Sequence, residues 1–278
     1  MRLPSIMVAF LGACGQLALA AAFCGPAAAF ALLPHRASYT LTLDGSRPTG
    51  QLEDMSGRID YQMTGDACAG YSTLTRQASE SRGGQAGPMT QTVTSKSWEA
   101  GTGESYRFES TSETGDDTTE VEATVTREGT DRLNVAVTKP DDRAFTLDGI
   151  ILMPTQHVLK VLAAAAAGEG TLAAKVYDGS SDPQKVYDTL AVIGRARSGG
   201  ARLAPAAEAA LAGHLSYPVA VSYYDRGAID EAPAYVMSFT LYDNGVVGDL
   251  RIDYGRFALI GSMSSFEALP AGAAACER

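Results

Sequence analysis

The stretch FTLDGIILMPTQHVLKVLAAAAA, residues 145–167, is the one segment whose pattern predicts a long helix. Pro154 suits a first helical turn, because that position needs no N–H donor. The alanine run has high helix propensity, and Gly168 and Gly170 end the pattern. One apolar stripe at helical spacing consists of Val158, Leu159, Leu162, Ala163 and Ala166. The sequence therefore predicts one principal helix over about 155–167, or 154–167 with the proline.

On both sides of this helix the sequence alternates between apolar and polar residues, which is typical of strands with one buried face. Tyr39, Leu41 and Leu43 show the pattern near the beginning of the chain, and 219–223 shows it near the end. Asp243-Asn244-Gly245 is a strong hairpin turn, since Asn and Gly tolerate positive φ. The short spacing of the strands favours antiparallel hairpins. We therefore predict a mainly β, antiparallel fold in a single domain, 30–278.

In this interpretation the domain has two β-rich halves, 30–150 and 170–278, and the helix at 154–167 bridges them. The helix then acts as a hinge-like joint between the halves. It also forms one wall of any groove between them.

The first residues have the order of a secretory signal peptide, 1–29. Arg2 is followed by an apolar run, 6–23, and then by small residues. Ala27 and Ala29 form one A-x-A cleavage site, and Ala29 and Ala31 form another, which predicts cleavage near 29–31. The sequence thus predicts an exported, periplasmic protein. An uncleaved anchor helix is the alternative, but glycines and Gln16 interrupt the run.

The charge balance excludes two classes of partner. The chain has 22 Lys and Arg against 32 Asp and Glu, a formal net charge of −10. Nucleic acid and anionic lipid surfaces both require clustered basic residues, which this acidic sequence does not offer. No stretch after the first 30 residues is apolar enough to span a membrane. We therefore expect that the protein has no nucleic-acid partner and that it is not an integral membrane protein.

Two cysteines, Cys68 and Cys276, remain after the predicted cleavage. An even pair in an exported protein favours a disulfide. The two cysteines are 276 − 68 = 208 residues apart, and closing a loop of that length stabilises the fold by about 5 kcal/mol in the chain-entropy model. Two unrelated buried thiols are the alternative. Neither cysteine has the neighbours of a zinc site or of a C-x-x-C redox motif.

The sequence contains no recognisable catalytic pattern. The three histidines, His35, His157 and His214, lie far apart and lack metal-ligand spacing. We find no nucleophile elbow, phosphate loop or dinucleotide fingerprint. His157, in the first turn of the predicted helix, is an acid–base candidate, but a hydrogen-bonded structural role is the favoured interpretation. We therefore predict no catalytic, cofactor-binding or metal-binding residue, no cofactor and no enzymatic activity.

Several short motifs, in this order along the chain, resemble the EipB family of cell-envelope integrity proteins. They are Leu147-Asp148-Gly149, Met153-Pro154-Thr155-Gln156-His157, Val176-Tyr177-Asp178-Gly179-Ser180, Ser222-Tyr223-Tyr224-Asp225, Asp253-Tyr254-Gly255-Arg256-Phe257 and the far-terminal Cys276. The resemblance covers essentially the whole chain after the signal. It implies a periplasmic protein of α-proteobacteria, folded as an antiparallel β-spiral, with a disulfide that maps onto Cys68 and Cys276.

The resemblance also implies a role in envelope integrity and stress resistance, and it transfers no catalytic residues. Our leading hypothesis is a non-enzymatic periplasmic scaffold or binding protein. Its expected partners are other periplasmic or envelope proteins, with lipid or glycan as further candidates. The alternative is a periplasmic carrier of lipid or another apolar envelope molecule, because a curved sheet with a helix against it can enclose a groove.

Overall fold

The structure is a computed structural model, and it describes residues 30–46, 52–83, 87–179, 182–227 and 231–271. The predicted signal peptide, 1–29, and Cys276 lie outside these ranges. The helices are α1 (Pro154–Ala166) and α2 (Pro205–Ala210). The strands are β1 (His35–Leu43), β2 (Leu52–Asp66), β3 (Gly70–Gly83), β4 (Met89–Glu99), β5 (Ser105–Thr114), β6 (Asp117–Glu128), β7 (Arg132–Lys139), β8 (Arg143–Asp148), β9 (Ile151–Leu152), β10 (Thr171–Tyr177), β11 (Val186–Ile193), β12 (Arg197–Ser198), β13 (Leu215–Asp225), β14 (Tyr235–Tyr242), β15 (Val247–Asp253) and β16 (Ala258–Ala268).

The alternation seen in the sequence corresponds to one buried face on each strand. On β7, Leu133, Val135 and Val137 are buried, whereas the residues between them face outward. Successive side chains of a strand point to opposite faces, so this pattern places one face of the sheet in the core. The prediction of a mainly β, antiparallel fold is confirmed.

All the strands belong to one sheet. Its order is β8-β7-β6-β5-β4-β3-β2-β1-β16-β15-β14-β13-β11-β10-β9, and β12 pairs with β13 beside this path. Every pairing is antiparallel except that of β9 with β10. The first and last strands, β1 and β16, lie side by side over their whole length. The two β-rich halves are therefore continuous through this pairing as well as through α1.

Helix α1 lies at the centre of the sheet's concave face. Met63 and Tyr71 of the first half and Val219 and Val221 of the second half share one buried cluster with Leu162 of α1. Strand registers place all four strand residues on the same face of the sheet, which we call the inner face. The sheet therefore wraps around α1, so the helix is a core element rather than a hinge.

The two ends of the sheet overlap. Tyr177 and Val186 lie opposite each other on β10 and β11 and point away from α1. Both are buried against the inner face of β5 to β7, where Phe108 and Val125 belong to the same cluster. The inner face of the first half thus covers the outer face of β9 to β11. This overlap turns a barrel-like sheet into a spiral, as the resemblance implied.

Two details of the central stretch differ from the prediction. The residues before Pro154 form strands β8 and β9, and Gly149 separates these strands with φ +113°. On α1 itself, Ala163 and Ala166 of the predicted stripe are exposed. The buried side chains are those of His157, Val161, Leu162, Ala164 and Ala165. The buried arc is rotated because the wrapping sheet contacts α1 from more than one side.

The second helix, α2, is short and packs against β16. Ala207 and Leu211 are buried there with Tyr39 and Met263. The helix covers the part of the sheet where β1 and β16 meet.

Candidate functional site

The N-terminus of α1 is held by a buried carboxylate from another part of the chain. Glu99, at the end of β4, is only 2% exposed. Its Oε2 accepts a hydrogen bond from the N–H of Thr155 (2.7 Å), and its Oε1 accepts one from the N–H of Gln156 (2.9 Å). These are two of the N–H groups that a helix start leaves without a partner, and Pro154 has none to offer. Glu99 therefore caps α1 although it lies 56 residues before Thr155 in the sequence.

The surroundings of Glu99 form a connected polar network. Arg127 donates from Nη2 to the carbonyl of Ile151 and to Oε1 of Gln156, both at 2.9 Å, and from Nε to the carbonyl of Gly103. Burial raises the pKa of Glu99, whereas the two backbone N–H groups and the charge of Arg127 lower it. Both carboxylate oxygens are occupied by the helix. Glu99 therefore has a structural role, and neither of its oxygens is free to accept a proton from a substrate.

Close packing around Gln156 requires a glycine at position 103. Gly103 has φ +72°, and a Cβ built there would lie 1.7 Å from Nε2 of Gln156. The loop before β5 can approach α1 this closely only because it carries no side chain at this point.

His157 is buried on α1, with 5% of its surface exposed. Its Nε2 has no hydrogen-bond partner among the described residues. Burial lowers the pKa of His157 from its ordinary 6.5 to about 4, because the charged ring would lie in an apolar environment. A neutral, packed histidine agrees with the structural role favoured from the sequence, although the expected hydrogen bond at Nε2 is not observed.

We expect the stability of the protein to fall on acidification because of His157. The unfolded chain takes up the proton near pH 6.5, whereas the folded chain resists it down to about pH 4. The stabilisation of the folded state by neutral His157 is therefore complete above pH 6.5. About 3 kcal/mol of it is lost as the pH falls to 4. Urea unfolding of the wild type and of His157→Leu from pH 7 to pH 4 measures it. The variant should gain about 3 kcal/mol relative to the wild type across this window, and parallel curves would contradict the assignment.

The structure does not bring the three histidines together. The His35 ring stacks on Phe266, and its Nδ1 lies 2.7 Å from the carbonyl oxygen of Leu33. His214, in the loop before β13, contacts Asp243. Among the described residues, no group of three or more His, Cys, Asp or Glu side chains is placed to hold a metal ion.

Cys68 lies in the turn between β2 and β3 and is exposed. The carboxylate of Asp66 shapes this turn by accepting hydrogen bonds from the N–H groups of Cys68 and Ala69, both at 2.8 Å. Exposure makes the alternative of a buried thiol wrong for Cys68. Its pairing with Cys276 stays a prediction, because Cys276 lies outside the described residues.

A group of tyrosines lies on the inner face, at the end of the second half where β13 ends and β14 begins. This tyrosine cluster consists of Tyr187, Tyr223, Tyr235 and Tyr254. The rings of Tyr223 and Tyr235 are stacked with centroids 4.4 Å apart, and Tyr187 meets both edge-on at 5.7 Å. Tyr254 lies 6.1 Å from Tyr235 and is 37% exposed. Two of the sequence motifs, at 222–225 and 253–257, therefore meet here.

The tyrosine cluster is deep in the fold and yet reached by solvent. Burial, aided by the charge of Asp178, raises the pKa of both Tyr223 and Tyr235. Nevertheless, Tyr187, Tyr223 and Tyr235 are only half-buried, although they face inward. Val221, on the same face of β13 and beside α1, is fully buried. The tyrosine cluster is therefore less completely buried than Val221 beside α1.

A second set of half-buried polar residues lines the inner face of β3, β4 and β5. We call it the hydroxyl wall, and it consists of Thr75, Gln77, Ser79, Ser95 and Ser112. No hydrogen bond joins these side chains to one another or to another described residue. Because buried polar groups in proteins normally have partners, this wall faces water or a ligand.

Two hollows on the outer face of the sheet are less suited to a ligand. One has an accessible volume of about 180 Å³ beside Arg202, Asp249 and Arg251. The other measures about 320 Å³ beside Thr90 and Glu113. Both are at or below the lower end of the range of small-molecule sites, about 300–1,000 Å³. Neither hollow is therefore a strong candidate for a ligand site.

The sequence did not reveal the main elements of this site. Glu99 and Arg127 are ordinary members of alternating strands, and only their position after folding places them at α1. Tyr223 belongs to an alternating stretch of the sequence, 219–223, but its stacking on Tyr235 could not be predicted from that stretch. No helix in the described part of the chain has the length and hydropathy to cross a membrane.

Comparison with known proteins gives consistent matches. The model of the family described as EipB-like matches residues 26–270. The cell envelope integrity protein EipB of Brucella abortus (strain 2308) is 29% identical over 287 residues, which cover 98% of this chain and 97% of that protein. The crystal structure of a β-barrel-like protein from Brucella abortus superposes with a TM-score of 0.80 at 26% identity, over 87% of this chain and 100% of that one.

Proposed function

The chain belongs to the EipB-like family, and on that premise we propose that it is a non-enzymatic periplasmic protein that supports the integrity of the cell envelope as a scaffold or binding protein. The observation that carries the proposal is the similarity to an envelope integrity protein over nearly the full length of both chains. The secretory pattern of residues 1–29 supports export to the periplasm. Proteins of the envelope and envelope molecules are its expected partners.

Deletion of the gene in the source bacterium tests this proposal. We expect the deletion strain to lose viability on detergents and cell-wall antibiotics, and the full chain to restore it. A chain without residues 2–29 should not restore growth, because it lacks the export signal. Normal growth of the deletion strain would contradict the role in the envelope, and rescue by the shortened chain would contradict the periplasmic site of action.

We further propose that a disulfide between Cys68 and Cys276 closes the spiral. The strand registers support it: Ala268 lies opposite His35, which lies opposite Met63 on the strand that leads to Cys68. Two strand spacings and the last residues of β2 put Cys68 within about 20 Å of Ala268. The eight residues from Ala268 to Cys276 can span about 27 Å. The bond would fasten the C-terminal tail to the first half.

A carrier of lipid or another apolar molecule is the second candidate. It is supported by Phe239, which packs against the buried cluster around α1 and is itself only half-buried. Mass spectrometry of the native protein after gentle purification tests this function. A co-purified lipid would favour the carrier, and its absence together with no uptake of an apolar dye would favour the scaffold or binding protein.

A further inference from the structure

The two strands at the ends of the sheet order, β8 and β9, differ in how their edges are closed. At β9, the carbonyl of Ile151 accepts a hydrogen bond from Arg127, and Ile151 is fully buried. Strand β8 pairs only with β7, so its other edge is free. We propose that this free edge of β8 binds one extended segment of another envelope protein as an added strand. The inference rests on the proposed function of a binding protein and specifies the kind of partner.

The hydrogen bonds between β7 and β8 show which backbone groups of β8 point toward the free edge. The N–H of Gly149 donates to the carbonyl of Asp131 at 2.7 Å, and these two residues continue the register of the strands by one step. Bonded and non-bonded pairs alternate along an antiparallel ladder. Every second residue of β8, counted back from Gly149, is therefore bonded to β7. The backbone groups of Ala144 and Thr146, which lie between the bonded residues, point away from β7.

A side-chain contact agrees with this direction. The carbonyl of Asp148, two residues after Thr146, accepts a hydrogen bond from Nη2 of Arg226 at 3.3 Å, and Arg226 follows β13. The backbone groups of Ala144 and Thr146 bond to no described residue on this side. Both residues are exposed. The edge therefore offers two N–H and two C=O groups at the spacing of a strand, which is what an added strand requires.

The free edge lacks the features that usually protect an exposed edge strand. Such strands commonly carry lysine or proline at the edge, or a bulge twists them away. Strand β8 has the sequence RAFTLD, and its register with β7 is regular from Arg143 to Asp148. The two open positions in its middle, Ala144 and Thr146, carry small side chains. An incoming backbone can therefore approach to the ordinary strand spacing of about 4.8 Å.

The overlap of the sheet ends limits the occupant to a single strand. Leu147 of β8 is buried in the same cluster as Tyr177 and Val186 of the second half. Arg226 reaches the edge from the end of β13, so the second half continues beneath the edge. Two copies that paired antiparallel through β8 would be related by a twofold axis perpendicular to the sheet. Both bodies would then lie on the inner side and collide, whereas a peptide strand brings no such body.

The side chains next to the free edge specify the pattern of the segment. Phe145 packs against the buried cluster but is only half-buried, so an apolar side chain beside it would cover the rest of its surface. Successive side chains of the added strand point to opposite faces. Those on the other face lie beside the exposed Ala144 and Thr146 and remain in water. A segment that alternates apolar and polar residues therefore fits the edge.

Two arginines at the ends of the free edge favour acidic residues in the segment. Arg143 begins β8, and Arg226 lies at the carbonyl of Asp148 where β8 ends. In the part of the chain that the structure describes, neither arginine forms an ion pair with a carboxylate. Asp148 is itself paired with Arg132 at 3.1 Å. Acidic residues at the ends of the segment would complement these two positive charges.

Nuclear magnetic resonance titration of the isotope-labelled, oxidised protein with the peptide ETVTVTE tests the inference. In the free protein, the amide hydrogens of Ala144 and Thr146 should exchange rapidly with solvent. We expect the peptide to bind, to shift these two amide signals and to slow their exchange. Thr146→Pro removes one N–H that the fold itself does not use, and proline is tolerated at an edge strand in this orientation. It should weaken binding by about tenfold or more.

The matched control is Thr146→Val, which keeps the N–H and the shape of the side chain and should bind the peptide as the wild type does. Circular dichroism and urea unfolding should show that both variants are folded. If Thr146→Pro fails to fold, Ala144→Pro takes its place. Absence of peptide binding, or binding that a folded proline variant leaves unchanged, overturns the proposal. Equal binding of ETVTVTE and KTVTVTK would contradict the acidic ends.

Sedimentation velocity of the protein alone separates a partner segment from a second copy. We expect a monomer, and a dimer that Thr146→Pro abolishes would overturn the proposal in favour of a second copy. The envelope function is judged separately. A Thr146→Pro protein that restores viability to the deletion strain while its peptide binding is lost would contradict the role of the edge and leave the envelope role intact. A deletion strain without any phenotype would contradict the envelope role and leave peptide binding at the edge intact.

Discussion

Replacing Glu99 by alanine is expected to lower the free energy of unfolding by about 4 kcal/mol. The substitution leaves the N–H groups of Thr155 and Gln156 without partners at a buried helix start, where Glu99 now accepts from both. It also removes the negative charge that balances Arg127 in the same network. Urea denaturation monitored by circular dichroism measures the change. A marginally stable domain would unfold in part at ordinary temperature.

Two further variants separate the cap from a general effect of losing a carboxylate. Glu99→Gln keeps one acceptor for α1 and should cost about 2 kcal/mol. Glu109→Ala removes an exposed glutamate from the neighbouring strand, where it pairs with Lys96 at 3.6 Å, and should cost less than about 1 kcal/mol. Equal losses for Glu99→Ala and Glu109→Ala would show that the cap contributes nothing beyond surface charge.

Replacing Cys68 by serine is expected to lower the free energy of unfolding by about 5 kcal/mol under oxidising conditions. The proposed bond to Cys276 encloses most of the chain, and a long loop restricts the unfolded state more than a short one does. Cys68 itself is exposed in a turn, so the loss of its sulfur removes little packing. The cost therefore reports the bond rather than the side chain. Thermal melting before and after the addition of a reductant gives the same comparison in the wild type.

Ala69→Ser provides the matched control, because it changes a neighbouring side chain in the same exposed turn. It should melt as the wild type does. The double variant Cys68→Ser with Cys276→Ser should be no less stable than either single variant. If thiol reagents label both cysteines in denatured protein that was never reduced, the disulfide proposal is wrong.

Local structure was largely predictable from the sequence. The hairpin at Asp243-Asn244-Gly245 is confirmed between β14 and β15, with Gly245 at φ +85°. The start of α1 at Pro154 is confirmed. It was predictable because the preference of proline for a first helical turn depends only on its own backbone. Polar strands are harder to predict: β3 runs from Gly70 to Gly83, and its inward positions from Thr73 onward carry Thr, Gln and Ser. These inward residues resemble a solvated surface in sequence, because they are polar and only partly buried.

The contacts between distant residues in the interior could not be predicted from the sequence in the same way. Glu99 and Thr155 are far apart in sequence, and nothing near either residue indicates that one will cap the other. Likewise, Tyr187, Tyr223 and Tyr235 become neighbours only through the registers of three strands. A shift of one residue in any of these pairings would turn a tyrosine to the other face of the sheet.

The sequence by itself determined the strands, the turns, the central helix and the pattern of an exported protein, because each depends on residues that are close in the chain. The tertiary structure decided that α1 is the core around which the sheet wraps and that the ends of the sheet overlap. Alternation reports that one side of a strand is buried, but not what buries it. That partner is chosen by strand pairing between distant segments, which only the folded chain reveals.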